Sequence, residues 1–404
     1  MNRLLTQFLI VFVMPLVLVL GMVADPAIAF TADQQYVAEV WRIVNRAYLD
    51  DQFNGQNWWF VRQEALREAP QNREEAYDIV QSMLAGLDDP YTRLLRPSQY
   101  RTLQTNTSGE LTGVGLQIAL DEAGQLRVVS PIAGSPAAAA DIHPRDVVAA
   151  IDGNDTTVLS LDEAASLMRG PVGTTVTLTV QRGEAAPFDL AIQRDRIVLN
   201  PLYTDLRTTD AGLKVGYLRL TQFSANATSE LYTAIIDFEL DEVDGYILDL
   251  RNNPGGLLQA GIEIARLWLD DGAIVYTVNR QGVADSFEAF GSALTAAPLV
   301  VLVNSGTASA SEILAGALQD NQRATLVGET TFGKGLIQSL FNLPDGSGVA
   351  VTVAKYETPA HHDINKLGIT PDRSVPLTQP LSRLDLGTAA DPQYQAAIAA
   401  LQSM

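Results

Sequence analysis

No cysteine occurs in the 404 residues, and histidine occurs only three times. The first absence removes disulfides, thiolate metal sites and thiol nucleophiles together. The second leaves little from which to build a serine–histidine or cysteine–histidine pair. Metal chemistry is poorly served as well: His361-His362-Asp363 is the sole His/Asp cluster, and no helical H-E-x-x-H pattern exists. No metal and no cofactor are expected. Basic residues are also scarce, 27 Lys and Arg against 47 Asp and Glu, a formal charge of −20. Nucleic acid and anionic membrane surfaces are therefore poor partners. Tandem repeats and low-complexity tracts are absent.

What remains is a composition 47% hydrophobic and 18% charged, that of an ordered globular chain long enough for two or three units. The one long apolar run spans residues 8–20, follows Arg3, and leads to the small-x-small triplet Ala27-Ile28-Ala29. This pattern reads as a secretory signal peptide over residues 1–29, cleaved after Ala29. Export is implied, and the membrane enters only through this leader or through the substrate.

The texture then changes twice. Residues 30–106 read as helical, with Tyr36, Val37, Val40, Trp41, Val44 and Tyr48 at helix spacing and a cap signal at Asn72-Arg-Glu-Glu75. Trp58 and Trp59 are expected to pack within this region. A turn, Asp88-Asp-Pro-Tyr-Thr92, closes it, and a polar stretch follows over residues 102–110. Residues 107–196 are β-rich, with short strands, turns and one helix over 161–168. Residues 197–404 alternate strand and helix, the pattern of an α/β layer with a largely parallel sheet.

Three segments carry chemistry. Asn304-Ser-Gly-Thr-Ala-Ser-Ala-Ser-Glu312 crowds hydroxyls where a strand turns into an apolar helix, and Phe332-Gly-Lys-Gly335 supplies the only lysine nearby. With His and Cys excluded, a serine activated by Lys334 is the leading chemistry; which hydroxyl attacks stays open. A lysine acts as base only if its pKa falls from about 10.4 toward neutrality, and a drop of roughly three units costs about 4 kcal/mol. Asp249-Leu-Arg-Asn-Asn-Pro-Gly-Gly256 follows a buried strand and can aim backbone N–H groups at an oxyanion. It lacks a Walker lysine and a G-x-G-x-x-G spacing, so nucleotides are not expected. Leu111-Thr-Gly-Val-Gly-Leu-Gln-Ile118 can present free N–H groups to a peptide carboxylate and accept a peptide as an added strand.

With these residues in view, the chain resembles the carboxyl-terminal processing peptidases, tail-specific serine proteases of peptidase family S41 with a Ser-Lys pair. The phrases that carry the resemblance are Leu250-Arg-Asn-Asn-Pro-Gly-Gly256, Gly306-Thr-Ala-Ser-Ala-Ser-Glu312 and Thr331-Phe-Gly-Lys-Gly335. Phe53-Asn-Gly-Gln-Asn-Trp-Trp59 and Leu87-Asp-Asp-Pro-Tyr-Thr-Arg-Leu-Leu95 point to the cyanobacterial and chloroplast branch that trims the photosystem II D1 precursor. The resemblance implies an α/β protease core (ClpP/crotonase-like), an N-terminal helical region and an inserted β-rich PDZ domain.

It further implies Ser309 as nucleophile, Lys334 as general base, Gln338 as the residue orienting the lysine, and Asp320 as an aspartate sometimes assigned to the set. The oxyanion groups would be the N–H of Ala310 with that of Gly255 or Gly256. Gly113, Val114, Gly115, Leu116, Gln117 and Ile118 fall at the PDZ carboxylate-binding loop, and Arg169 at a position coupling that domain to the protease. Asp141 and Arg145 replace two glycines of the family's Ser-Pro-Ala phrase. The implied partner is a protein C-terminus, that of precursor D1, read by a monomer in the thylakoid lumen or periplasm. The alternative is a non-catalytic PDZ scaffold that binds C-termini without cutting.

Overall fold

Apolar residues at helix spacing produce three helices, α1 (Ala32–Ala47), α2 (Trp58–Arg67) and α3 (Arg73–Ala85). The computed structural model describes residues 30–404 other than 122, 210, 380, 383 and 384, so the expected leader lies outside the described residues. Helix α1 buries Tyr36, Val37, Val40, Trp41 and Val44, the stripe expected of an amphipathic helix. Asn72 caps α3 by accepting the Glu75 N–H at 3.0 Å, and the Glu75 carboxylate returns to the Gln71 N–H. Successive helical residues point about 100° apart, so the two tryptophans diverge. Trp58 is buried and stacked on Phe53, and Trp59, although 55% exposed, packs edge-on against Trp41 of α1 at 5.6 Å, so both make the expected contacts. These helices belong to one compact unit that ends at Pro90, and residues 47–51 with 91–404 form the second.

The second unit continues with β1 (Arg93–Leu95) and α4 (Pro97–Ser108). The stretch that looked merely polar is thus a helix, opened by Pro97 in its first turn. The β-rich module follows, with β2 (Glu110–Gly113), β3 (Leu116–Leu120), β4 (Leu126–Pro131), α5 (Pro136–Ala139), β5 (Val147–Ile151) and β6 (Asn154–Asp155). It ends with α6 (Leu161–Met168), β7 (Thr175–Gln181), β8 (Phe188–Gln193) and β9 (Asp195–Val198). Its antiparallel sheet runs β3-β4-β5-β7-β8, and alternate residues Val176, Leu178 and Val180 of β7 enter the core with Ala164 and Met168 of α6. Strands β2 and β9 pair with each other, a ribbon through which the chain enters and leaves the module. Asp141 (φ 60°) and Arg145 (φ 75°) hold left-handed backbone without glycine. Arg182 braces that turn through the Asp146 carboxylate and the Asp141 carbonyl.

The α/β part begins with β10 (Leu202–Thr208), β11 (Lys214–Leu220), α7 (Ala227–Leu240), β12 (Gly245–Asp249) and α8 (Leu258–Arg266). Next come β13 (Ala273–Asn279), β14 (Gly282–Glu288), β15 (Leu299–Val303), α9 (Ala310–Asp320) and β16 (Thr325–Gly328). It closes with β17 (Leu336–Asn342), β18 (Gly348–Glu357), β19 (Arg373–Ser374) and α10 (Pro392–Leu401). One sheet runs β10-β11-β12-β15-β16-β19, parallel except for the β10–β11 pair. Strands β12 and β15 are buried along their whole length, as parallel strands covered on both faces must be. Leu248, Val301 and Val303 face α7, α8 and α9, while Ile247, Val300 and Leu302 face α10. A second, antiparallel sheet gathers β1, β18, β13 and β14, with β17 on the other edge of β18. Nothing in the sequence pattern had announced this sheet.

Helix α10 is locked down by charge. Arg251, 2% exposed, bonds Asp249 and Asp391, both fully buried, at 2.6 and 2.7 Å. Asp391 is also the N-cap of α10, accepting the N–H groups of Gln393 and Tyr394. Burial pushes the Asp391 carboxyl up, but the Arg251 bonds and backbone donors outweigh it and hold the group below its ordinary value. A depressed carboxyl contributes stability above its unfolded pKa, about 3.9, and loses it as pH falls through the folded value. Arg251→Ala should cost about 3–5 kcal/mol in urea unfolding, because two buried carboxylates lose their cation. Asp391→Asn should flatten the loss of stability below about pH 4; an unchanged acid limb would remove this account.

Candidate active site

Strands β12 and β15 lie side by side and parallel, so their carboxyl ends release two loops into one crevice, where open α/β sheets bind ligands. The loops are tied together by Asn304, whose Oδ1 accepts the N–H groups of Asn252 and Gly306 at 2.9 and 3.0 Å. The Asn253 carbonyl accepts the Ala308 N–H at 3.0 Å, and its Nδ2 reaches back to Leu220 O.

Four hydroxyls lie in the second loop; Ser305 is exposed at its outer turn, and two of the others are committed elsewhere. Thr307 donates to Leu250 O at 2.9 Å and Ser311 to Asn253 O at 3.0 Å, both fully buried. Ser309 is half-buried at φ 59°, ψ −120°, outside the regions favourable to a residue with a Cβ. It stands at the turn into α9, whose N-terminal end carries partial positive charge.

Both glycines of the first loop are required by packing. A Cβ on Gly255 would lie 2.6 Å from Ala308 O and 2.8 Å from Ala310 N, and one on Gly256 would lie 2.2 Å from Phe223 O. Gly255 thus sits against Ser309 and Ala310. Its N–H, however, donates to Asn253 Oδ1 at 2.9 Å. The N–H groups of Gly256 and Ala310 make no such bond among the described residues.

The residue that joins the Ser309 loop to the Lys334 loop is Glu312, fully buried in the first turn of α9. Its Oε2 accepts the N–H groups of Ser309 and Lys334, each at 2.9 Å. Its Oε1 accepts the Thr331 hydroxyl at 2.6 Å and the Gly333 N–H at 2.7 Å. Tyr356 adds a second clamp, its hydroxyl 2.6 Å from Lys334 O and 3.1 Å from Ser309 O. Burial, with the Glu312 carboxylate beside it, pushes the Tyr356 phenol well above its ordinary value, so it stays a donor. Sequence reasoning treated Glu312 only as the end of a motif. Its place three residues after Ser309, the capping spacing, was the available signal.

Lys334 is half-buried, and its Nζ lies 5.0 Å from the centre of the Tyr91 ring. The flanking glycines serve a neighbouring loop: a Cβ on Gly333 or Gly335 would come within 2.9 Å of Gly368 N or 2.8 Å of Asn365 N. Gln338 lies on β17 beside a register shift, and its buried Nε2 has no hydrogen-bond partner among the described residues. Asp320 is not brought to this group. It ends α9, eleven residues from Ser309, roughly 16 Å along the axis, where it accepts the Ala360 N–H. His361 stacks on Tyr276, and Asp363 pairs with Lys355, so this cluster is committed to surface contacts.

In the β-rich module, β3 and α6 enclose a groove of about 160 Å³ lined by Gly113, Val114, Gly115, Leu116, Ile118, Met168 and Arg169. Gln117 is not among its lining residues; it bonds the Ser130 hydroxyl of β4, since strand residues alternate in direction. Arg169 forms an isolated bridge with Gly113, closing one end. Gly115 (φ 81°) is forced by Ser135, whose Cβ would lie 2.3 Å from an added Cβ.

Comparison with known proteins agrees with this architecture. Residues 214–375 match the model of peptidase family S41, and residues 127–182 match a PDZ domain. The carboxyl-terminal-processing proteases of Picosynechococcus sp. and Synechocystis sp. are each 59% identical; the alignments cover 95% and 92% of this chain and 93% and 87% of theirs. Carboxyl-terminal-processing peptidase 2, chloroplastic, of Arabidopsis thaliana is 46% identical over 88% of this chain and 72% of its own. Among solved structures, a photosystem II D1 C-terminal processing protease superposes with TM-score 0.59 at 40% identity, covering 90% of this chain and all of that one.

Glu312→Gln keeps the shape but sets an amide NH2 against two donors. It should destabilise the fold by about 2–3 kcal/mol and lower kcat while leaving KM nearly unchanged. Wild-type kcat in the folded variant would refute this role.

Proposed function

The chain belongs to peptidase family S41, and we propose that its carboxyl-terminal processing of proteins runs on a Ser309–Lys334 dyad and trims the D1 precursor. The observation that carries this reading is the shared carboxylate oxygen of Glu312, which takes the backbone N–H of both residues. Two loops that differ by 25 positions are thereby tied to one buried anchor.

The substrate's C-terminus enters the PDZ groove and pairs as an added strand with β3, its carboxylate at the Gly113–Leu116 turn. Ser309 Oγ attacks the scissile carbonyl while Lys334 Nζ takes its proton. The oxyanion is held by the N–H groups of Ala310 and Gly256 at the start of α9 and after β12. Collapse breaks the C–N bond, and the Lys334 ammonium protonates the leaving amine. The neutral lysine then draws a proton from water, which attacks the ester and frees the new C-terminus and Ser309. Gln338 offers its unpartnered amide near the lysine strand as an orienting group; Asp320 has no part. Similarity to the D1 C-terminal processing protease supports D1 as substrate, and the expected leader supports export to the thylakoid lumen or periplasm.

Mass spectrometry of a D1 C-terminal peptide after incubation tests the dyad. Wild type should cleave it, and Ser309→Ala or Lys334→Ala should lose several orders of magnitude in rate while still binding. Binding without cleavage by wild type as well would instead make the protein a scaffold. Because the attacking step needs a neutral amine, kcat/KM should rise with pH through the lysine pKa of the free enzyme. A profile that rises toward acid is incompatible with a lysine base.

A further inference from the structure

The turn Asp88-Asp-Pro-Tyr-Thr92 enters none of the chemistry above, yet it delivers an aromatic ring to the base. Tyr91 lies just past the end of the helical unit, and its ring centre is 5.0 Å from Lys334 Nζ. Its place is set by its neighbours: Thr92 is buried and accepts the Thr352 N–H at 3.0 Å, and Arg93 to Leu95 pair with β18. Tyr356 projects from the same β18 to the lysine carbonyl. The ring is thus mounted on the strand that also clamps the lysine backbone.

An ammonium within about 6 Å of a ring face is stabilised by the ring quadrupole, and the neutral amine is not. We infer that Tyr91 is a positioning residue for Lys334, holding the amine in its charged form in the free enzyme. This rests on the Ser309–Lys334 reading. Tyr91 would then act as a brake on the base, released when the substrate chain draws the amine toward Ser309. Other titratable groups around the lysine come from the elements that pack there. Glu312 of α9 binds its N–H, Tyr356 of β18 binds its carbonyl, and Lys366 and Asp363 belong to the loop packed on Gly333 and Gly335. Asp89 precedes Tyr91 in the chain. Tyr91 itself contributes to keeping the Tyr356 phenol protonated.

The experiment compares wild type, Tyr91→Phe and Tyr91→Leu by the pH profile of kcat/KM on the peptide substrate. Tyr91→Leu should move the acid limb about half a pH unit lower, a roughly threefold gain relative to plateau on that limb. Tyr91→Phe keeps the ring face and should leave the limb in place. A ring needed only for folding would lower the whole profile without moving its limb, and that result overturns the inference. So does an equal shift in both variants, which would assign the effect to the hydroxyl. The chain has only four lysines, Lys214, Lys334, Lys355 and Lys366, so NMR of lysine-labelled protein reads the amine without any cleavage. Lys334, assigned with Lys334→Arg, should show a ring-current shift at its ε-methylene in wild type and Tyr91→Phe but not in Tyr91→Leu, and should titrate lower in the last. If Lys334→Ala still cleaves, the dyad falls, while the NMR titration separately decides whether Tyr91 sets the amine.

Discussion

A carboxylate with no access to water must find donors for its lone pairs or pay several kcal/mol in lost hydration. Glu312 finds four, and they come from the two loops that must meet. The requirement to satisfy one buried charge therefore does the work of alignment: the Ser309 and Lys334 backbones cannot drift apart without stranding it. Tyr356 reinforces the same pair from the carbonyl side.

The crevice itself is a consequence of parallel pairing. Strands β12 and β15 end together, and their loops interlock through Asn252, Asn253 and Asn304 rather than through apolar packing. Amide side chains suit this place because each supplies donor and acceptor to backbone that has just left the sheet. Behind them, Arg251 ties the end of β12, through Asp249, to the start of α10, through Asp391. Left-handed backbone is tolerated at the non-glycine residues Ser309 and Asn252 (φ 59° and 57°) because the surrounding bonds leave no alternative path for the chain.

The PDZ module is built on a different economy. Its core is aliphatic and its groove small, and two positions usually given to glycine are held by Asp141 and Arg145. The energetic cost of left-handed backbone at those residues, about 1–2 kcal/mol each, is offset by Arg182 across the turn. A sequence departure that looked disruptive leaves the turn intact, since φ above zero needs support rather than glycine as such.

Local pattern alone determined the succession of helical, β-rich and α/β texture, the buried parallel strands, the capped start of α3, and the restriction of chemistry to hydroxyls, one lysine and a glycine pair. These are readable because period, caps and exclusions by composition act over a few residues. Tertiary structure decided what depends on groups far apart in the chain. Burial commits Thr307 and Ser311 to carbonyls of the first loop; the Asn253 side chain occupies the Gly255 N–H and leaves that of Gly256; the rise of α9 carries Asp320 away from Ser309. The place of β1 beside β18 was invisible because that pair spans more than 250 positions, Arg93 with Ala350. That same pairing sets Tyr91 over Lys334, a contact no spacing rule could reveal.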